Sequence, residues 1–290
     1  MPCSKHASKP TSTIAGILRE AAETLAAVSH SPRLDAEILL AHVTGKNRAH
    51  FRAWPEKDLA PEEEAAFWRF VEQRRVGTPV AYLTGRREFW SREFRITPDV
   101  LIPRPDTELL IELALNRAPS NRSADILDLG TGSGVIAVTL ALERPLARVS
   151  ALDRSPAALD IAQRNAALHH ARNVRFLQSH WFAAVVEDEC FDLIVSNPPY
   201  IAENDPHLAQ GDVRFEPALA LSSGLDGLED IRRIVRDAPT HLAAGGWLLL
   251  EHGYDQAEAV RALLMQMGFE AVASYPDLQG HERVSGGRLS

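Results

Sequence analysis

A chain of 290 residues with 45% hydrophobic and 24% charged side chains has the composition of a soluble folded protein, long enough for one large domain or two smaller ones. Its 31 basic and 39 acidic residues give a net charge of -8, which excludes the broad basic excess of an autonomous nucleic-acid binder. Two cysteines far apart, Cys3 and Cys190, exclude a disulfide framework or a zinc spacing; with no run of transmembrane length, a reducing, cytoplasmic location is expected.

The first residues, Met1 to Thr13, are polar and lack the apolar core of a signal peptide. From Ser12 the spacing of Ile14, Ile17, Leu18, Ala21 and Leu25 predicts an amphipathic helix, and Leu34, Ile38 and Ala41 with Leu39 and Val43 predict another. Pro61 opens a third, with Glu62, Glu63 and Glu64 in its first turn, Arg74 and Arg75 near its end and Gly77 beyond. That polarity suits the helix dipole. Residues 1–84 therefore read as a small helical domain without a catalytic constellation. It is near neutral, since residues 1 to 85 hold 11 basic and 10 acidic side chains. Local basic clusters are confined to pairs such as Arg74-Arg75 and Arg86-Arg87.

Short β-like runs around Ser91-Arg92 predict a hairpin over residues 85–98, linking the helical domain to a second domain over 99–290. Val100-Leu-Ile-Pro-Arg-Pro-Asp-Thr-Glu108 follows, two prolines fixing an extended approach to a helix that Asp106 or Thr107 could cap.

Asp125 to Gly134 reads Asp-Ile-Leu-Asp-Leu-Gly-Thr-Gly-Ser-Gly, an apolar strand meeting glycines at 130, 132 and 134 before a helical pattern. Glycines let a ligand approach the main chain, and a helix start offers unpaired N–H groups. The spacing departs from the dinucleotide fingerprint and lacks the Lys-Ser/Thr ending of a phosphate-binding loop, so a nucleotide without a pyrophosphate fits better. A second strand, Ala147 to Leu152, ends in Asp153, close to the distance at which an acid meets ribose hydroxyls. An ordinary βα turn and a helix-preceding acid, with Ser155-Pro156 as cap and first residue, are the plain alternatives. Asp128-Leu-Gly-Thr-Gly-Ser-Gly134 followed by Asp153 resembles motifs I and II of class I S-adenosylmethionine-dependent methyltransferases.

Beyond the glycines, helices over 135–142, 156–168, 228–242 and 256–267 alternate with strands over 149–153, 174–178, 191–196, 247–251, 269–275 and 282–288. The pattern predicts an α/β, Rossmann-like fold with a mostly parallel seven-stranded sheet. The connection Pro276 to His281 is too short for a crossover, so the last strand should pair antiparallel.

Strand Phe191 to Ser196 runs directly into Asn197-Pro-Pro-Tyr200, beyond the carboxyl end of a strand where ligands of open sheets bind. Two prolines remove two backbone donors and leave carbonyls free. With the Asn197 side-chain oxygen they make an acceptor-rich cup suited to an NH2 group. The tetrapeptide resembles the signature of methyltransferases acting on planar nitrogens: adenine N6, cytosine N4 or a glutamine amide. Asn197 and Pro198 accepting two hydrogen bonds would orient the nitrogen, and Tyr200 could stack on the planar group.

Gly85-Arg-Arg-Glu-Phe-Trp90, Leu101 to Glu108, Gln178-Ser-His-Trp-Phe182, Asn197 to Ile201, Gly211-Asp-Val-Arg-Phe-Glu-Pro217, Leu248-Leu-Leu-Glu-His-Gly253 and Gly280-His-Glu-Arg-Val284 are similar to the peptide-chain release factor glutamine N5-methyltransferases, the HemK/PrmC family. The resemblance covers nearly the whole chain and is weaker in the helical domain. It implies methyl transfer from S-adenosyl-L-methionine to the glutamine of Gly-Gly-Gln in class 1 release factors, with S-adenosyl-L-homocysteine as product. By the same resemblance Gly130, Thr131, Gly132 and Gly134 would line the cofactor's methionine part, Asp153 its ribose and Trp181 its adenine, with Asp128 and Asn197 also at the cofactor. Asn197, Pro198, Pro199 and Tyr200, with Phe89, Arg104 and Glu108 nearby, would bind substrate. His180 departs from the aspartate common in that family. Residues 202–227 are expected to form a lid or docking loop, or else a disordered insertion. A nucleic-acid amino-methyltransferase, a non-catalytic cofactor-binding scaffold and an NAD oxidoreductase are the alternatives; no membrane or stable nucleic-acid binding is expected.

Overall fold

The computed structural model describes residues 13–290. Cys3, Ser12 and the rest of the polar N-terminal stretch lie outside the described residues. The chain divides into a unit ending at Gly85 and a second spanning Arg86–Ser290.

The first unit is helical: α1 (Ile14–Leu25), α2 (Pro32–Thr44), α3 (Arg48–Ala53), α4 (Pro61–Arg75) and α5 (Val80–Thr84). Thr13 caps α1 by accepting from the Gly16 N–H at 3.2 Å. Ile14, Leu18, Leu25, Leu39, Phe51, Phe67 and Val71 form one buried cluster, so the apolar stripes of α1, α2 and α4 meet. Helices α3 and α5 span six and five residues, too few to show a 3.6-residue period in sequence. Arg74 is buried and donates to Asp35 across 2.9 Å, while Arg75 pairs with Glu72 at 2.6 Å. The Arg74-Arg75 cluster is thus internal ion pairing, not a basic surface patch.

In the second unit the hairpin of β1 (Arg86–Phe89) and β2 (Arg92–Arg95) turns at Trp90 and Ser91, both left-handed with φ of 51° and 55°. It belongs to this unit instead of standing apart as a linker. The Arg95 N–H donates to Asn165 at 2.7 Å and the Trp90 N–H to Glu108 at 3.1 Å.

The main sheet follows from α6 (Thr107–Arg117), β3 (Asp125–Leu129), α7 (Val135–Glu143), β4 (Arg148–Asp153), α8 (Pro156–Leu168), β5 (Val174–Gln178), β6 (Phe191–Ser196), α9 (Glu229–Asp237), β7 (Leu242–Glu251), α10 (Ala257–Gln266), β8 (Glu270–Pro276) and β9 (Glu282–Arg288). Its order is β5-β4-β3-β6-β7-β9-β8. Strand β9 runs antiparallel between β7 and β8, and the other pairings are parallel. This is the class I methyltransferase fold. Central strands β3, β6 and β7 read as near-continuous apolar runs because both faces are covered, as Ile126, Leu193, Ile194, Leu248 and Leu249 show by their complete burial.

Among the main sheet's strands and helices, two boundaries differ from the sequence reading by more than one residue. Helix α9 stops at Asp237, and a 3-10 turn over Ala238–Thr240 containing Pro239 carries the chain into β7. Strand β7 begins at Leu242, five residues earlier than expected, because it absorbs Gly245 and Gly246 at an irregularity in its pairing with β6. Between β6 and α9, residues 202–227 fold into three 3-10 turns held by an isolated bridge between Ile201 and Ser222. The disordered-insertion alternative is therefore corrected: the segment is folded.

Candidate active site

Strand order reverses between β3 and β6, and the carboxyl ends of the strands there open onto the site. Gly130 and Thr131 N–H groups both donate to Leu152 O at 2.8 Å, tying the glycine turn to β4. Gly130, Gly132 and Gly134 have φ of 73°, 55° and 82°, which disfavour any residue with a Cβ. Their surroundings differ. A Cβ on Gly132 would meet open space, whereas one on Gly134 would lie 2.9 Å from the Ala162 Cβ. Gly132 faces the cavity, and Gly134 lets α7 pack on α8 instead of lining the cofactor site.

Asp128 is fully buried beneath the turn. Its Oδ2 accepts from Thr131 Oγ1 at 2.7 Å and from the Ala137 N–H at 3.2 Å, fastening the turn to α7. Burial pushes its carboxyl up to about 7. The expectation of direct cofactor contact is corrected, since Asp128 is absent from the cavity wall.

Asp153 ends β4 and accepts from the Gly132 N–H at 2.9 Å and the Ser155 N–H at 2.8 Å. Burial raises its pKa against these stabilising bonds. Each oxygen retains lone-pair capacity for a diol. Opposite, Trp181 adopts a left-handed backbone, φ 52°, and its ring covers Gly130, 3.4 Å from where a Cβ would stand. Its indole Nε1 donates to Asp230 Oδ1 at 3.1 Å, and Asp230 Oδ2 accepts from Ser223 Oγ at 2.8 Å.

At the end of β6 the Asn197 Nδ2 donates to Thr107 Oγ1 at 3.3 Å. With the NH2 group so engaged, the Oδ1 atom is left as the acceptor. The Pro198 carbonyl takes no backbone hydrogen bond among the described residues. Tyr200 is placed differently from expectation. Its ring packs against the core cluster and its hydroxyl donates to Glu251 Oε1 at 3.4 Å, with burial raising its pKa.

One cavity of about 1080 Å³, including its mouth, joins these parts. Gly130, Thr131, Gly132, Asp153, Trp181, His180, Asn197 and Pro199 stand in its wall, together with Pro217, Leu219 and Ala220 of the 202–227 segment. Pro198 stands between the wall residues Asn197 and Pro199 with its carbonyl unengaged by backbone among the described residues, Tyr200 packs against the core cluster, and three expected substrate contacts lie elsewhere. Phe89 is a hairpin core residue, 3% exposed, edge-on to Phe94. Glu108 anchors the hairpin turn through the Trp90 N–H. Arg104 pairs with buried Glu216, whose other oxygen accepts from the Ile102 N–H at 3.2 Å. That pair pins the 202–227 segment to the proline-rich approach. Asp106 occupies the cap position of α6 without capping it and faces Arg283 at 3.5 Å.

Sequence reasoning missed Thr107, Glu216, Asp230 and Glu251 as parts of this architecture. Glu251 carried a signal, an acid ending the apolar run Leu248 to Leu250, the pattern that singled out Asp153. Asp230 carried none, since acids in the first turn of a helix are ordinary. The arrangement offers an acid, glycine backbone and an indole at one end of a cavity, and hydrogen-bond acceptors at the other. Open space at Gly132 beside Asp153 fits a nucleoside-bearing cofactor such as S-adenosyl-L-methionine.

Comparison with known proteins agrees. Residues 16–85 match the PrmC N-terminal domain family and residues 105–218 the methyltransferase small domain family. The release factor glutamine methyltransferase of Vibrio cholerae is 47% identical over 95% of this chain and 96% of its own. That of Burkholderia pseudomallei is 54% identical over 93% and 96%. A Thermus thermophilus 16S rRNA N2 methyltransferase solved with AdoMet and guanosine shares the fold, with a TM-score of 0.52, 22% identity and coverage of 71% of this chain and 50% of that one.

Proposed function

The chain belongs to the release factor glutamine methyltransferase family, and we propose that it acts at the side-chain nitrogen N5 of the glutamine in the Gly-Gly-Gln tripeptide of class 1 release factors. It is an enzyme that uses S-adenosyl-L-methionine to methylate a release factor glutamine. The observation that carries the finer reading is the Asn197 side chain, whose NH2 is held by Thr107 so that Oδ1 is free to accept in the same cavity as Asp153 and Trp181.

An amide nitrogen is a weak nucleophile because its lone pair is delocalised into the carbonyl. Asn197 Oδ1 and the Pro198 carbonyl accept its two hydrogens, which raises electron density on nitrogen and fixes its out-of-plane face. Gly130, Thr131 and Gly132 bind the cofactor's methionine part, Asp153 its ribose and Trp181 its adenine. S-adenosyl-L-methionine supplies an electrophilic methyl group on a cationic sulfur. Pro199 and the 202–227 segment narrow the cavity around the glutamine and exclude water. Tyr200 supports the tetrapeptide from behind. No strong base is needed beforehand, since the nitrogen proton becomes acidic once the methyl is on.

Residues up to Gly85 would recognise the folded release factor, in keeping with their match to the PrmC N-terminal domain. A cytoplasmic location follows from that partner; no helix among the described residues is long and apolar enough to cross a membrane. The test is mass spectrometry of a release factor incubated with the protein and S-adenosyl-L-methionine, with duplex and single-stranded DNA alongside. One added methyl on the Gly-Gly-Gln glutamine is the expected result. Methylated DNA with untouched release factor would overturn the substrate and leave the amino-methyl transfer chemistry.

A further inference from the structure

The Asn197 to Tyr200 turn contains two prolines, which have no N–H to donate, so groups outside the turn must hold much of it in place. Its entry is fastened at Ser196, whose Oγ donates to Leu129 O at 2.6 Å. Its exit is fastened by Gln256, the residue before α10. The Gln256 Nε2 donates to Tyr200 O at 2.9 Å and to Asp226 O at 3.4 Å, so one NH2 group clasps both ends of the 202–227 segment.

The amide can sit only one way round. Its Oε1 accepts from the Gly253 N–H at 2.8 Å, and a flip would turn the NH2 group toward that N–H and the oxygen toward two carbonyls. Gly253 is anchored in turn: its carbonyl accepts from the Gln256 N–H at 3.0 Å and from Nδ1 of the buried His252 at 2.8 Å. The segment closes tightly on the same point. A Cβ at Gly227 would stand 2.2 Å from Tyr200 O and 2.8 Å from Gln256 Nε2, so the close approach requires glycine. Just inside the clasp, the Ile201 and Glu203 N–H groups donate to Leu221 O and Gly224 O, each at 2.9 Å. Gln256 is not in the cavity wall. The two stretches it joins are, through Asn197 and Pro199 on one side and Pro217, Leu219 and Ala220 on the other.

We propose that Gln256 is a positioning residue for methyl transfer: by holding Tyr200 O it fixes the turn that carries the Asn197 and Pro198 acceptors, and by holding Asp226 O it keeps the facing segment in register with them. The proposal rests on the methyl-transfer reading above and adds a residue outside the cavity wall. A misplacement of about 1 Å at a reacting centre costs up to about 10² in rate, so a clasp of this kind bears on turnover.

Gln256→Met keeps the length of the side chain without its hydrogen bonds. Gln256→Glu, at about pH 8, keeps the acceptor for Gly253 and loses both donors. Tyr200-Ile201 is the chain's single Tyr-Ile pair, so tyrosine labelled with carbonyl 13C and isoleucine labelled with 15N mark that peptide alone in NMR. With S-adenosyl-L-homocysteine bound, the Tyr200 carbonyl signal is expected to move upfield in both variants, the direction of a lost hydrogen bond. The kcat for release factor methylation should fall roughly tenfold or more in both, while KM and product affinity stay within about threefold. A wild-type kcat in Gln256→Glu, an unmoved carbonyl signal, or a loss carried by KM alone would overturn the proposal. A wild type that leaves release factor unmethylated overturns the functional reading instead, and the Tyr200 carbonyl still decides whether Gln256 holds the turn.

Discussion

The indole of Trp181 is held by Asp230, Nε1 to Oδ1 across 3.1 Å, so the first turn of α9 fixes the cavity wall that covers Gly130. The same carboxylate accepts from Ser223 at 2.8 Å and thereby ties the 202–227 segment to that wall. Hydrogen bonds to a charged group contribute about 1.5–3 kcal/mol, and tenfold in affinity is about 1.4 kcal/mol. Asp230→Ala is therefore expected to weaken S-adenosyl-L-homocysteine binding about tenfold by calorimetry. Asp230→Asn, which retains Oδ1 as acceptor, should lose much less. Equal losses in both variants would mean that charge, not support of the indole, matters.

Asn197→Ala removes the side-chain acceptor and leaves Gly130, Asp153 and Trp181 in place. Loss of one preorganised hydrogen bond at a reacting centre costs about 10²–10³ in kcat. Turnover should fall by that order while cofactor affinity stays largely intact. Unchanged turnover would remove the central step of the mechanism.

Gly132 and Gly134 make a paired test. Alanine at Gly134 meets the Ala162 Cβ at 2.9 Å and a φ of 82°, so overpacking of about 1–3 kcal/mol adds to left-handed strain of about 1–2 kcal/mol. Alanine at Gly132 pays the strain alone but projects into the cavity. Gly134→Ala should depress the thermal midpoint more, and Gly132→Ala should depress cofactor affinity more. The reverse order would misassign the two glycines.

In the helical unit, Arg74→Ala leaves Asp35 buried without its guanidinium, whose Nε now donates at 2.9 Å. Breaking one side of a buried pair costs about 3–5 kcal/mol. Chemical denaturation of the variant should show that loss, and replacing both residues together by apolar side chains should restore most of it. If the double replacement proves as unstable as Arg74→Ala, the pair contributes more than its charges.

Burial pushes Glu251 up from 4.5 to about 7. The native state therefore holds a proton that the unfolded chain has released, and stability from this group is complete below about pH 4.5 and lost as pH rises to about 7. Glu251→Gln lacks this titration. Relative to wild type it should gain up to about 3 kcal/mol between these limits, with the difference flat on either side. His252, whose lowered pKa acts in the opposite direction, is common to both proteins and cancels from the comparison. A pH-independent difference would show that Glu251 titrates alike in the native and unfolded states.

Much of this protein was written locally. Glycine at 130, 132 and 134, the acid closing β4 and the prolines after β6 each impose a backbone geometry or an acceptor set by their own chemistry. The strand and helix alternation fixed the sheet, and the short Asp277 to His281 connection forced β9 antiparallel. The family resemblance, carried over residue by residue, assigned Phe89, Glu108, Arg104, Asp128 and Tyr200 to the site. Tertiary packing sends them elsewhere: Phe89 into the hairpin core, Glu108 to a turn N–H, Arg104 to Glu216, Asp128 beneath the glycines and Tyr200 to Glu251. Thr107 reaches Asn197 across 90 positions and Asp230 reaches Trp181 across 49. A motif's type follows from backbone sterics within a few residues. The partner of a side chain follows from which strands and helices share an edge, and only the folded chain decides that.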